Sequence, residues 1–336
     1  APAIPLKKIS GSNIVTIDTP EWEYDPNEEV LLKNEKIAYV KDDNDPQIYA
    51  NFYAFSYDSP VLTIQAYPVM YCFDWRLSGN VNFTTNESGY KAFSTESGYH
   101  IPSEVGIYSV LFSWRVVAIG GVPQTPIHLA NTEHEFYSLY YSPGAFDDGY
   151  DIGTPWTDIL DRACDWAEGQ TTASECLSSL TTGLYNYSKM KYTLSSHWAD
   201  HSTIDLKHIL TDLNNTSTYE EGNCLDYSSF LNMLAYSIGL PSSGSDCSKY
   251  ATLGPSFQTK YILPAQHADS SSYGWGEHQV VYFQDTYMAD ASAKVYNGGN
   301  WILSKGDKTW TQYRDLLTSD SNVSIQATGT TKGKRP

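Results

Sequence analysis

One helix constrains the second half of the chain more than any other feature. Tyr227, Leu231, Leu234 and Ile238 recur at three- and four-residue steps, which predicts a buried helical face. Gly239-Leu240-Pro241 then supplies a left-handed cap, a hydrophobic contact and a stop. Directly ahead stands Glu221-Gly222-Asn223-Cys224-Leu225-Asp226, so the thiol of Cys224 falls at the helix N-terminus. First-turn N–H groups and the helix dipole favour negative charge there, and the thiolate is the nucleophilic form of cysteine. Cys224 is therefore the candidate nucleophile.

A nucleophile needs a base, and the base needs an orienting group. His278 begins Gln279-Val280-Val281-Tyr282-Phe283, a strand by its β-branched and aromatic content, and Tyr287-Met288-Ala289-Asp290-Ala291 reads as its partner. A hairpin centred on Gln284 pairs position 278 with position 290. Residues directly opposite share a face with Cβ atoms about 4.5–5.5 Å apart, so Asp290 can accept a hydrogen bond from His278. If that face meets the helix start, a Cys224–His278–Asp290 triad results.

The organisation around these residues is that of two domains. Up to about residue 150, segments such as Val61–Tyr67, Tyr108–Phe112, Phe73-Asp74-Trp75, Ser113-Trp114-Arg115 and Phe136–Tyr141 are separated by Gly, Pro, Asn and Asp at short intervals. That spacing predicts an antiparallel β-sandwich of the immunoglobulin-like kind over 1–150, with aromatic core strands. Composition changes at Ser142–Gly149. Thr154 and Pro155 then read as cap and first residue of a helix whose buried face carries Trp156, Ile159, Leu160, Ala163 and Ala167. Thr172 and Glu175 form a capping-box pattern ahead of Leu177, Leu180 and Leu184. Helices followed by a hairpin and a strand at Trp301-Ile302-Leu303 make 151–322 an α+β domain. From Val323 the sequence reads as a polar, frayed tail over 323–336.

Charge and cysteine usage narrow the partners. A formal charge of −18 without a basic patch argues against nucleic acid, and no segment is apolar for long enough to span a membrane. Lys and Arg are scarce beside Tyr, Ser, Thr, Asn and Gly, a balance that suggests an extracytoplasmic protein, and the start at Ala1-Pro2-Ala3 reads as a processed chain. Five cysteines fit one catalytic thiol with up to two disulfides, or no disulfide at all, and Cys164 and Cys176 lie equally far from Gln170 at the turn of a helical hairpin. They are the candidate pair. His197 and His201 stand four apart but lack the glutamate of a zinc-protease motif, so no metal site is assigned.

From about Trp156 to Leu317 the chain resembles the transglutaminase-like superfamily, relatives of papain-type cysteine proteases, in which a Gly-x-Cys helix precedes a His strand and an Asp strand. The matching residues are Gly222, Asn223 and Cys224, the Ile238–Pro241 helix end, His278 with its apolar strand, and Ala289-Asp290-Ala291. The resemblance implies acyl transfer through a thioester on Cys224, with no cofactor. The expected substrate is protein or peptide, including cell-wall peptide, and the expected outcome is hydrolysis. Protein crosslinking is the alternative acyl transfer, and a surface adhesion module the non-catalytic one. The Cys224 backbone N–H would donate to the oxyanion, and Trp198, His197 and Gln170 are candidates for the second donor.

Overall fold

The computed structural model describes residues 4–10, 13–17, 22–25, 30–42, 46–53, 61–70, 75–82, 88–143, 154–195, 198–200, 203–214, 219–240, 248–329 and 332–334. The chain divides into two compact units, Ala1–Leu139 and Tyr140–Pro336. The second unit begins just before the Ser142–Gly149 stretch where composition changes; Gly144 to Gly153 lie outside the described residues.

Alternation builds the first unit. Leu62, Ile64 and Ala66 on one strand, and Val110, Phe112, Trp114 and Val116 on another, are buried at every second position, as one-sided strands require. Seven strands hydrogen-bond in the order Ile37–Val40, Val122–Leu139, Gly106–Ile119, Val61–Met70, Leu77–Asn82, Ser88–Thr95, Gln47–Tyr53. The first joint is parallel and the others antiparallel. The two outermost strands contribute Tyr39 and Ile48 to the same apolar cluster as the central ones, so the sheet curls around a single core. Where the spacing predicts a two-sheet sandwich, the described strands form this curled sheet beside two separate pairs, Leu6–Ser10 with Asn13–Ile17 and Trp22–Asp25 with Val30–Asn34. The long central hairpin allows the curl, because register shifts at Trp114/Arg115 and Val116/Ala118 bend and twist it. Trp75 lies outside any strand yet fills the core, with its ring centroid 5.5 Å from both Phe112 and Phe136 and its indole N–H donated to Thr95 Oγ1 at 2.9 Å. Phe73 and Asp74 lie outside the described residues.

The second unit has helices before an antiparallel sheet. Its helices are α1 (Thr157–Trp166), α2 (Ala173–Tyr185), α3 (Leu206–Asn214), α4 (Cys224–Ser237) and α5 (Trp310–Leu317). Its main sheet runs Lys305–Thr309, Tyr287–Ala289, His278–Phe283, Ser248–Gly254, Ser324–Gly329. Helix α4 is buried on every side from Asp226 to Ser237, because α1, α2 and the two central strands all pack on it. Its buried hydroxyls at Ser228 and Ser237 turn back onto the carbonyls of Leu225 and Met233. No helix among the described residues is long and apolar enough to cross a membrane.

Three expectations are corrected here. Helix α1 starts at Thr157, with Trp156 rather than Thr154 as its cap, since the Trp156 carbonyl already accepts from Ile159 and Leu160. Cys164 and Cys176 are not joined; both are fully buried thiols, one on α1 and one on α2. The polar segment after Val323 is no loose tail, for Ser324–Gly329 pairs with Ser248–Gly254 as an edge strand. Such a strand needs few apolar side chains, because backbone pairing supplies its contacts. The capping box of α2 forms as the sequence predicts, with Thr172 accepting from Glu175 N–H and Glu175 from Thr172 N–H.

Candidate active site

The start of α4 is held by a reciprocal cap. Asn223 Oδ1 accepts from the N–H groups of Leu225 and Asp226, and Asp226 Oδ2 accepts from Asn223 N–H at 2.9 Å. Asp226 Oδ1 also takes the N–H groups of Trp198 and Ala199, each at 2.9 Å, so this fully buried carboxylate ties the helix start to a second segment. Gly222 permits the close approach. A Cβ there would lie 2.8 Å from Met190 Cε and 3.1–3.2 Å from Asp226 and Trp198. At the other end Gly239 adopts φ +82°, and a Cβ would overlap the Tyr141 carbonyl. Both glycines of the motif are thus explained by geometry.

Cys224 is the first helical residue and is half-buried. It lines a cleft of about 330 Å³ with Asn223, Leu225, Tyr192, Leu194, Thr252, Gly274, Trp275, Gly276, Glu277 and Gln279. With the Leu225 and Asp226 N–H groups taken by Asn223, the Cys224 N–H is left at the helix start.

His278 is fully buried, and its Nε2–H points at Asp290 Oδ2, 3.1 Å away, with Tyr313 Oη at 3.2 Å. Tyr313 donates to the same Asp290 oxygen at 2.7 Å. Asp290 Oδ1 accepts from Ser292 N–H at 2.9 Å and Ser292 Oγ–H at 2.6 Å, so both carboxylate oxygens are occupied. Nδ1 meets no close hydrogen-bond partner among the described residues and is the ring nitrogen left for Cys224, whose sulfur acts on the imidazole. Burial drives the imidazole pKa down, but the Asp290 carboxylate and then the Cys224 sulfur outweigh it and raise the value from 6.5 to about 9. For Asp290 burial pushes up, and the charge and hydrogen bond of His278, with those of Ser292 and Tyr313, hold the carboxyl below its ordinary range. Cys224, His278 and Asp290 are therefore brought together.

Trp275 stacks on His278 with centroids 4.0 Å apart and planes 18° from parallel. The strand Gly274–Trp275 pairs with Phe257–Gln258, which fixes the indole although glycines flank it. Among the described residues its buried Nε1–H meets no hydrogen-bond partner at close range, though it lies near enough to the Tyr192 hydroxyl to act downward on that phenol's pKa.

The second-donor expectations fare differently. Trp198 gives its backbone N–H to Asp226 and its indole N–H to Asp212 at 2.9 Å, so neither is left for an oxyanion. Gln170 sits in the α1–α2 turn and donates to the Glu168 carbonyl, outside the cleft. His197 and His201 lie outside the described residues. Tyr313 and Ser292 are the site residues that sequence reasoning misses. The Thr309/Gln312 capping box ahead of Tyr313, Leu316 and Leu317 marks α5 in the sequence, but not the contact of Tyr313 with Asp290.

No protein-family model matches this chain, and no curated protein matches it.

Proposed function

We propose that the second unit is a cysteine-dependent acyl-transfer enzyme of transglutaminase-like, papain-related type, acting outside the cytoplasm as a hydrolase of amide bonds in protein or cell-wall peptide. What carries the reading is one buried imidazole, His278, bonded through Nε2 to a saturated carboxylate and keeping Nδ1 unpaired beside a half-buried thiol at a helix start.

In this scheme the thiol proton rests on His278 Nδ1 and Asp290 stays ionised. The Cys224 sulfur attacks the amide carbonyl carbon, and the carbonyl electron pair moves to oxygen. Collapse breaks the C–N bond, and the amine leaves with the Nδ1 proton. Nδ1 next takes a proton from water as its oxygen attacks the thioester, and the C–S bond breaks to release acid. The Cys224 N–H and the unpaired Trp275 Nε1–H are the oxyanion donors, in place of Trp198.

A crosslinking reaction on the same thioester is the second reading, favoured by the Trp275 ring fixed against His278, since an aromatic wall excludes water. Native iodoacetamide labelling, mapped by mass spectrometry, tests the nucleophile. Cys224 should label ahead of Cys164 and Cys176, and His278→Ala should slow its labelling at least about tenfold. Equal labelling of Cys224 in both proteins would remove the reading.

A further inference from the structure

The cleft holds a polar side chain that the acyl-transfer scheme does not use. Gln279 is only 3% exposed, it lines the cleft, and among the described residues neither Nε2 nor Oε1 has a hydrogen-bond partner. Burying one amide donor or acceptor unpaired is costly, and here both are buried on one side chain. Successive strand residues point to opposite faces, so Gln279 does not share the His278 face with Asp290. Its direct cross-strand partner is Thr252, which lines the same cleft. These features suit holding substrate rather than moving a proton.

We propose that Gln279 is a specificity-determining residue that reads an amide of the substrate bearing its own N–H, which makes the substrate class a peptide rather than an ester, a lipid or a free acid. The proposal rests on Cys224 being the nucleophile of this cleft. A carboxamide presents one acceptor oxygen and two donor hydrogens, and an extended peptide presents the complementary N–H donor and C=O acceptor on one side of a single residue, since the two groups of one trans amide point in opposite directions. Pairing the two satisfies Nε2 and Oε1 together. An ester offers no donor and leaves Oε1 unpaired; a carboxylate offers only acceptors and sets negative charge beside Oε1. A site built to hydrogen-bond a substrate N–H rejects the analogue lacking it, because its own buried group stays unpaired.

The test uses the full chain and two chloromethyl ketones with the same reactive group. One is acetyl-alanyl-alanyl chloromethyl ketone, and the other has an ester in place of the Ala–Ala amide. Saturation constants (KI) and limiting rates (kinact) of Cys224 alkylation are read by mass spectrometry. The wild type should bind the amide probe about tenfold more tightly than the ester probe. Gln279→Leu should raise the amide-probe KI by about tenfold, erase the amide–ester difference and change kinact much less. Its melting temperature should equal or exceed that of the wild type, since an unpaired polar group has been removed. An unchanged amide-probe KI in Gln279→Leu overturns the proposal. So does a lowered melting temperature with both probes weakened equally, which marks Gln279 as a structural residue. Methyl methanethiosulfonate, which carries no amide, reports separately on the wild-type thiol. Slow reaction of Cys224 with it removes the nucleophile reading and this proposal with it, whereas fast reaction beside an unchanged amide-probe KI in Gln279→Leu overturns the Gln279 assignment alone.

Discussion

His278 Nε2 lies 3.1 Å from Asp290 Oδ2 in surroundings that keep water from both side chains. That bond fixes which ring nitrogen faces the thiol and supplies the charge that opposes burial of the imidazole. Asp290→Asn keeps the shape and removes the charge. Turnover should fall by about 10²-fold or more with little change in KM, and the His278 pKa, followed by NMR, should drop below its wild-type value of about 9. Retained turnover with an unshifted His278 would sink the orienting role.

The pair also leaves a pH signature in stability. The folded His278 pKa is raised from 6.5 to about 9, so its contribution is fully present below about pH 6.5 and is lost as pH rises through 9. Urea midpoints of the wild type should decline across that window. In His278→Gln the decline should be shallower. Parallel slopes in the two proteins would show that other groups set the alkaline limb.

Tyr313 should behave as a positioning residue, because its hydroxyl touches Asp290 and His278 rather than the cleft. Tyr313→Phe leaves Asp290 Oδ2 with one donor fewer and should cost about 1.5–3 kcal/mol in denaturant unfolding. It should also raise the Asp290 pKa, since the Tyr313 hydrogen bond helps to lower it. Stability held by the depressed Asp290 exists above its unfolded pKa and is lost as pH falls, so the acid limb of turnover should move to higher pH in the variant. An unmoved acid limb with lowered stability would reduce Tyr313 to packing alone.

The relation between His278 and Asp290 shows what the sequence could and could not reveal. Strand content and turn residues disclosed the hairpin, but the predicted centre at Gln284 is one position early. Gln284 and Asp285 both adopt positive φ, the ladder pairs Val281 with Ala289 and Phe283 with Tyr287, and the centre is Asp285. Position 278 therefore stands diagonal to 290, not opposite it. The two side chains still meet, because moving the centre by a whole residue preserves which residues share a face. Tyr313 escaped notice because its role depends on α5 returning to Asp290, just past the strand Tyr287–Ala289 and 23 residues earlier, a contact no local pattern encodes. The burial of α4 on every side was likewise hidden, since the apolar spacing marks a single buried face while Ser228, Ser229 and Asn232 are polar and buried as well.

Gly222 is a steric requirement as well as part of the motif. Gly222→Ala places a methyl group 2.8 Å from Met190 Cε, and the flexible methionine end can yield, but Asp226 Cβ at 3.1 Å and Trp198 Cζ3 at 3.2 Å belong to the cap itself. Overpacking of this kind typically costs about 1–3 kcal/mol. Thermal unfolding should show that loss, and Met190→Ala in the same background should restore only part of it. Full recovery by Met190→Ala would mean that the cap residues are not strained.

The last prediction concerns Trp275, for which stacking and hydrogen bonding can be separated. Trp275→Phe retains a ring over His278 and deletes the unpaired Nε1–H. If that N–H stabilises the oxyanion, kcat should fall by about 10²-fold with KM nearly unchanged, as for loss of a single oxyanion donor. Full activity in Trp275→Phe would exclude the indole as donor and leave the Cys224 N–H as the candidate among the groups considered. Trp275→Leu removes the aromatic wall too. With a peptide substrate and a dansylated amine present together, the fraction of acyl-enzyme released as free acid should rise above the wild-type value, because the thioester loses its cover from water. An unchanged acid fraction would show that Trp275 orients the imidazole without governing what attacks the thioester. The wild-type fraction itself then distinguishes a hydrolase, in which acid predominates, from a crosslinking enzyme, in which the dansylated product does.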